Sequence, residues 1–311
     1  MFRGHKSVSF DPARDIPSLE DKVILVTGGN IGLGKQCILE YARHNPATIW
    51  LAARNLDKAK AAVDEIQGQL TRPADIKLLE LDLSSLESVK KAAARLLGES
   101  VRLDILMLNA GIMATPPGLT TDGYEVQFGT NYLSHALLTR LLMPLLKRTS
   151  LMPDADVRVV AVSSHGHVFV PKEGIHFDTL RTDAEDIGPY GRYSQSKLAM
   201  ILWTRQMAKL NRQITFAAIH PGIVKTNLAN GATGSNILVR GFLKVANMVV
   251  TSVEEGAKNQ LWASVAEGVK SGEYYEPIGV TGQGSALCTR DEFVESLWEW
   301  TEQELDKISD V

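Results

Sequence analysis

Cysteine is scarce: Cys37 and Cys288 are the two in 311 residues, far apart and without neighbours at ligand spacing. That excludes a disulfide framework and a cysteine-built metal site. An excess of one charge is lacking too, the net charge being -3, so nothing marks a nucleic-acid or acidic-membrane partner. The first twenty residues hold Arg3, His5, Lys6, Asp11, Arg14 and Asp15 without an apolar run. Neither a signal peptide nor a membrane span is expected there, and a cytoplasmic location follows as the simplest expectation. His165, His167 and His176 stand close in sequence, yet no second cluster of Cys, His or carboxylate completes a ligand set. No metal is expected, and the three read as surface or lid histidines.

What is present is ordinary globular composition, 44% hydrophobic and 22% charged, enough to bury a substantial core. Short β-branched or apolar runs recur at residues 22–27, 48–53, 76–81, 103–108, 157–162 and 214–219. Helical patterns separate them, over 33–44, to about 70, over 86–97, from 122 to 142 with Pro144 bending or ending the helix, and through the stretch that carries Tyr193. Strands alternating with helices of ten or more residues predict a parallel sheet covered on both faces. A further helix is expected over 253–265, an edge strand over 272–277 ended by proline, and a helical tail over 291–308 with Phe293, Leu297 and Trp300 as core or subunit contacts. The polar residues 165–189 are long enough for a lid. Residues 236–250 form an amphipathic stretch that either flaps over a greasy substrate or packs as a surface helix.

Three places hold candidate chemistry. Gly28, Gly32 and Gly34 follow the first strand and open a helix; free amides and the helix dipole there attract an anion such as a pyrophosphate, though such a cluster also serves as a plain turn. The second strand ends without an acid from Leu51 to Leu56 and offers Arg54. An acid there suits the free 2′-hydroxyl of NAD, whereas an arginine suits the 2′-phosphate of NADP. Tyr193 and Lys197, four apart, share a helix face. A tyrosine of pKa about 10 needs a shift of roughly 3 units to work near neutrality, and a cation about 5 Å away supplies on the order of 3 kcal/mol of it.

The order of these pieces resembles the short-chain dehydrogenase/reductase family over nearly the whole chain from Lys22 to about Gly279. The resemblance implies a Rossmann-type α/β doubly wound parallel sheet: an N-terminal extension over 1–21, one domain over 22–290 with a substrate loop at about 230–250, and a helical tail over 291–311. It implies a cofactor turn at Gly28, Asn30, Ile31, Gly32, Leu33 and Gly34, an adenine contact at Asp82 and Leu83, a sheet-centre motif at Asn109, Ala110 and Gly111, and a nicotinamide-side loop at Pro221, Gly222, Val224 and Thr226. Asn131, Ser164, Tyr193 and Lys197 match the family's catalytic tetrad, with Tyr193 and Lys197 also meeting the cofactor. Ser164 is taken over Ser163 as the second of the pair, and Ser163 stays as the alternative. The implied activity is NADP(H)-dependent hydride exchange with a hydrophobic carbonyl or alcohol, NAD(H) being less favoured. Within the family the pattern is similar to retinol-dehydrogenase-like members and to the reductases of fungal secondary metabolism. A binding protein that senses NADP(H) and an isomerase or lyase on the same scaffold are the competing readings, and self-association into a homo-oligomer is left open.

Overall fold

In the computed structural model, which describes residues 7–224 and 251–309, the apolar runs are strands β1 (Val23–Thr27), β2 (Thr48–Ala53), β3 (Ile76–Glu80), β4 (Ile105–Leu108), β5 (Arg158–Val162) and β6 (Thr215–Ile219). The two-residue edge strand β7 (Tyr274–Tyr275) completes a seven-stranded sheet ordered β3-β2-β1-β4-β5-β6-β7. Every pairing is parallel. β1 pairs with both β2 and β4, so the strand order reverses there and the chain winds outward in both directions.

The helices between them are α1 (Gly32–Ala42), α2 (Leu56–Gln67), α3 (Leu86–Glu99), α4 (Ser134–Ser150), α5 (Gly188–Leu210), α6 (Val253–Val265) and α7 (Asp291–Ser309). Because successive strand side chains point to opposite faces, the sheet supplies two cores. Leu25, Trp50, Leu106 and Phe216 pack with α3, α4, α5 and α7. Ile24, Val26, Leu51 and Met107 pack with α1, α2 and α6. The stretch before β1 joins the second layer through buried Phe10, Ile16 and Leu19.

Three expectations need correction. Asp122 does not start the long helix: its carboxylate instead accepts the Leu86 amide at 2.9 Å, and Glu125 caps a helical turn over Val126–Phe128 by accepting the amides of Gln127 and Phe128 at 3.0 and 2.6 Å. A π turn over Gly129–Leu133 then leads into α4. Pro144 lies inside α4, which runs on to Ser150. A proline there withholds one amide from the helix ladder, but buried Leu142, Leu145 and Leu146 on either side keep the segment seated. Residues 165–189 hold three short 3-10 turns, and His167 among them is no surface histidine but fully buried. The amphipathic stretch 236–250 and the loop 230–250 lie outside the described residues.

Helix α7 belongs to the core. Leu297 is fully buried, Trp300 meets Phe128 edge-on with ring centres 5.6 Å apart, and the hydroxyls of Tyr132 and Thr301 are 2.6 Å apart. Among the described residues no helix is long and apolar enough to cross a membrane. Leu297→Ala is expected to lower unfolding free energy by about 3 kcal/mol, read from urea denaturation. A loss below about 1 kcal/mol would show that α7 lies on the core without contributing to it.

Candidate active site

All strand ends point to one edge of the sheet, and the sequence-selected residues gather there. Thr27 closes β1, and Gly28 turns away with φ +66°. α1 begins after Ile31 with no side-chain cap on its first amides, which leaves them and the positive end of the helix dipole available to an anion. Gly34 must be glycine, since a Cβ would strike the Gly28 carbonyl and come within 2.6 Å of Asn109 Nδ2. Asn109 ties this turn to β4: its Nδ2 donates to the Thr27 carbonyl at 2.8 Å, and its Oδ1 accepts from Gln260 at 3.1 Å.

The amides of Asn109 and Ala110 both donate to Thr27 Oγ1 at 3.0 Å. That oxygen also meets His135 Nε2 at 3.0 Å, while His135 Nδ1 meets the Asn131 carbonyl at 2.9 Å. A carbonyl only accepts, so the proton sits on Nδ1, and Nε2 receives the Thr27 hydroxyl proton. His135 therefore links the glycine turn to the π turn. Sequence reasoning passed over His135; its place four residues after Asn131 was the available signal.

Asn131 is fully buried in the π turn. Its Oδ1 accepts from the Ile112 amide at 2.8 Å, and its Nδ2 donates to the Ile112 carbonyl and to Ser196 Oγ, both at 2.9 Å. The bonds run across the fold and do not stay within the local helix. Gly111 lies beside it, where a Cβ would come within 3.2 Å of Asn131 Oδ1 and 3.4 Å of Lys197 Nζ.

Tyr193 and Lys197 stand on α5, with Nζ 5.6 Å from the phenol ring centre and donating to the Val162 carbonyl at 2.8 Å. The two serines after β5 separate cleanly. Ser163 is buried and its hydroxyl donates to the Lys197 carbonyl at 2.7 Å. Ser164 is half-buried beside Tyr193, and its Oγ accepts the Gly166 amide at 3.1 Å. The residue before Tyr193 was not singled out either: Arg192, buried, donates to the carbonyls of Thr115 and Pro116 at 2.9 and 3.3 Å and pairs with Glu125 at 3.2 Å. It holds the segment after Gly111 against the start of α5.

The expected balance of charges is reversed in the chain by itself. Burial pushes the Tyr193 phenol up to about 12, opposed by the Ser164 hydrogen bond, and pushes Lys197 down to about 8. Desolvation disfavours both charged forms, so a simple Coulomb attraction understates what the helix must overcome. Tyr193 is accordingly held as a neutral phenol, a proton donor.

The remaining selected residues frame these groups. Arg54 is exposed just past β2. Asp82 follows β3 and accepts the amide and hydroxyl of Ser84 at 2.9 and 2.7 Å, and the Leu83 carbonyl accepts from Ser134 at 2.7 Å. Asn30 is half-buried and Ile31 exposed in the turn. Pro221 and Gly222 follow β6, and Val224 bridges to Thr251 while its side chain packs where Gly256 lacks one, beside Leu33. Thr226 lies outside the described residues. Among the described residues no group of three or more His, Cys, Asp or Glu is disposed to hold a metal ion.

A doubly wound parallel sheet with a glycine turn at its reversal, and a serine at the β5 end beside a tyrosine and a lysine on α5, is an arrangement suited to a hydride-transfer oxidoreductase. The chain belongs to the short-chain dehydrogenase/reductase family. Residues 22–174 match the family model described as short chain dehydrogenase. The protein is 40% identical to short-chain dehydrogenase/reductase drtF of Aspergillus calidoustus over 94% of this chain and 96% of that one. It is 36% identical to human retinol dehydrogenase 13 over 90% of this chain and 83% of that protein. The structure of an uncharacterized protein from Mycobacterium paratuberculosis aligns with TM-score 0.73 at 28% identity, covering 94% of this chain and 97% of that one. Members of the family use nicotinamide dinucleotides, and the residues present fit such a group: the uncapped start of α1 suits its pyrophosphate, and the small residues at Gly28, Gly34 and Gly111 keep the strand ends open.

Buried neutral histidines predict acid sensitivity. Burial lowers His135 and His220 to about 4, against about 6.5 in an unfolded chain. The unfolded chain thus binds more protons between those values. Stability is complete above about pH 6.5 and falls as pH drops toward about 4, by about 3 kcal/mol per histidine across the window. Urea midpoints measured at several pH values are expected to decline below about pH 6.5 and to level off just above it; a midpoint that does not fall between about pH 7 and pH 5 contradicts the neutral assignment.

Proposed function

We propose that this protein is an NADP(H)-dependent reductase of fairly hydrophobic aldehydes or ketones. The observation that carries the reading is the meeting of the Tyr193 phenol, the Ser164 hydroxyl and the Lys197 ammonium beside the β5 end, across from an α1 start open to an anion. A bound nicotinamide supplies the hydride for the carbonyl carbon. Tyr193, neutral through the working pH range, gives its proton to the carbonyl oxygen. Ser164 donates a hydrogen bond to that same oxygen, which orients the substrate and stabilises developing charge. Lys197 binds the nicotinamide ribose and places positive charge beside the phenol as the proton leaves. Asn131 fixes the Ile112 backbone against Ser196 of α5 and so helps to seat the helix that carries Tyr193 and Lys197.

The NADP preference rests on Arg54, exposed at the β2 end where no acid lies from Leu51 to Leu56. A guanidinium matches a 2′-phosphate, and a carboxylate at that place would match a free hydroxyl. The apolar substrate class rests on kinship: human retinol dehydrogenase 13, 36% identical, carries an apolar alcohol in its name.

Incubation with a panel of hydrophobic aldehydes, ketones and quinones is expected to consume NADPH faster than NADH; no consumption of either would overturn the proposal. Tyr193→Phe is expected to lower kcat by at least about a hundredfold with coenzyme affinity kept. An unchanged rate removes the phenol from the chemistry. Arg54→Ala is expected to weaken NADPH binding about tenfold and NADH binding little. Equal losses for the two coenzymes would count against the phosphate contact.

A further inference from the structure

Three histidines crowd the strand ends next to Ser164, and none has a part in the chemistry just described. His165 and His167 lie on the turn that follows Ser164, and His220 follows β6. Two of them address a single peptide unit. The Ser164 carbonyl meets His167 Nδ1 at 2.7 Å, and the other end of that peptide, the His165 amide, donates to His220 Nδ1 at 3.2 Å.

Backbone groups fix both tautomers, because an amide only donates and a carbonyl only accepts. His167 therefore carries its proton on Nδ1, and its Nε2 accepts the Ser285 amide at 3.0 Å. His220 has the opposite form: Nδ1 is the acceptor and the proton sits on Nε2, which faces Glu276 Oε1 at 4.0 Å. Each ring is anchored in turn. The His220 carbonyl accepts from Asn259 at 2.8 Å, and the His167 ring lies edge-on to Tyr274 with centres 5.0 Å apart. Glu276, buried, accepts the Tyr274 hydroxyl at 2.6 Å and lies 2.9 Å from His165 Nδ1.

We infer that His167 and His220 are positioning residues for Ser164, gripping both polar ends of the Ser164–His165 peptide so that the serine is held beside Tyr193. The inference rests on the reading of Ser164 as the donor to the substrate oxygen. The grip requires His220 neutral, since a proton added to its Nδ1 would face the His165 N–H and break that bond. A proton added to His167 Nε2 would face the Ser285 N–H and cost the ring that anchor, while Nδ1 would still donate to the Ser164 carbonyl. The groups that face His220 are Glu276 from the β7 end, His165 and His167 from the Ser164 turn, and Lys197 from α5. The glutamate favours the added proton, and the other three oppose it together with burial. The grip is therefore intact at neutral pH.

Substitution at His220 separates this from ordinary packing. Asparagine places an Oδ1 near the position of Nδ1, whereas leucine offers no acceptor. His220→Leu is expected to lower kcat at least about tenfold with coenzyme dissociation constants within about twofold, and His220→Asn to recover most of the loss. In a Ser164→Ala background, His220→Leu is expected to cost nothing more in kcat, since its effect runs through the serine. Additive losses, or equal losses for the leucine and asparagine variants, overturn the inference. A readout without turnover keeps it apart from the proposed activity. Chain labelled with nitrogen-15 histidine is expected to show the His167 proton on Nδ1, the His220 proton on Nε2 and a slowly exchanging His165 amide that turns fast in His220→Leu. Reversed tautomers or a fast amide in the unaltered chain overturn the grip, even if no carbonyl compound is ever reduced. Correct tautomers with no turnover on any substrate would leave the grip standing and reject the activity.

Discussion

Parallel pairing throughout the sheet is the constraint on which the rest depends. Seven strands run one way, so every strand ends at the same edge and every return must cross a face as a helix. Thr27, Asn109, Ser164 and His220 come from four strand ends separated by long stretches of chain, yet they sit along one line. The reversal of strand order between β1 and β4 opens that line in the middle. Glycine is required there because two strand ends and a helix start converge, as the crowding at Gly34 shows.

Dryness sets the electrical character of the site. Tyr193, Lys197, Asn131, His135 and His220 are all at most 9% exposed. A buried group keeps its charge only where a partner compensates, and here the phenol, the ammonium and both imidazoles are drawn toward their neutral forms. Neutrality makes each hydrogen-bond direction definite. A charged imidazole would donate from both nitrogens and could not serve as acceptor for Thr27 or for the His165 amide.

Much of this was legible in the sequence, because strands buried on both faces leave dense β-branched runs and crossover helices leave regular gaps. The pair Tyr193 and Lys197 was legible from the order of motifs around it, since its spacing alone fits a solvated helix face equally well, and α6 was legible over 253–265. Other features were hidden by their nature. The start of the segment before α4 turned on whether Asp122 or Glu125 did the capping, and the structure uses Asp122 to cap α3 instead. Pro144 inside α4 is a local penalty overridden by burial. His167 looked like a surface residue because its partners, the Ser164 carbonyl and the Ser285 amide, are backbone groups, one of them over a hundred positions away. The ionisation of Tyr193 was misjudged for a related reason: spacing reveals the neighbouring charge, but only the fold reveals how little water reaches it.

The π turn at Gly129–Leu133 is in effect one residue of slack wound into a helix. Each residue in an α-helix advances the side chains by about 100°. With that slack removed, Asn131 and the first turn beyond Glu125 would rotate by that amount relative to α4, and the pair of hydrogen bonds between Asn131 and Ile112 would have nowhere to form. The enzyme's tolerance of change is thus uneven in kind. At this point a substitution alters the contacts of one side chain, whereas losing or gaining a single codon would throw the site out of phase with the scaffold that carries it.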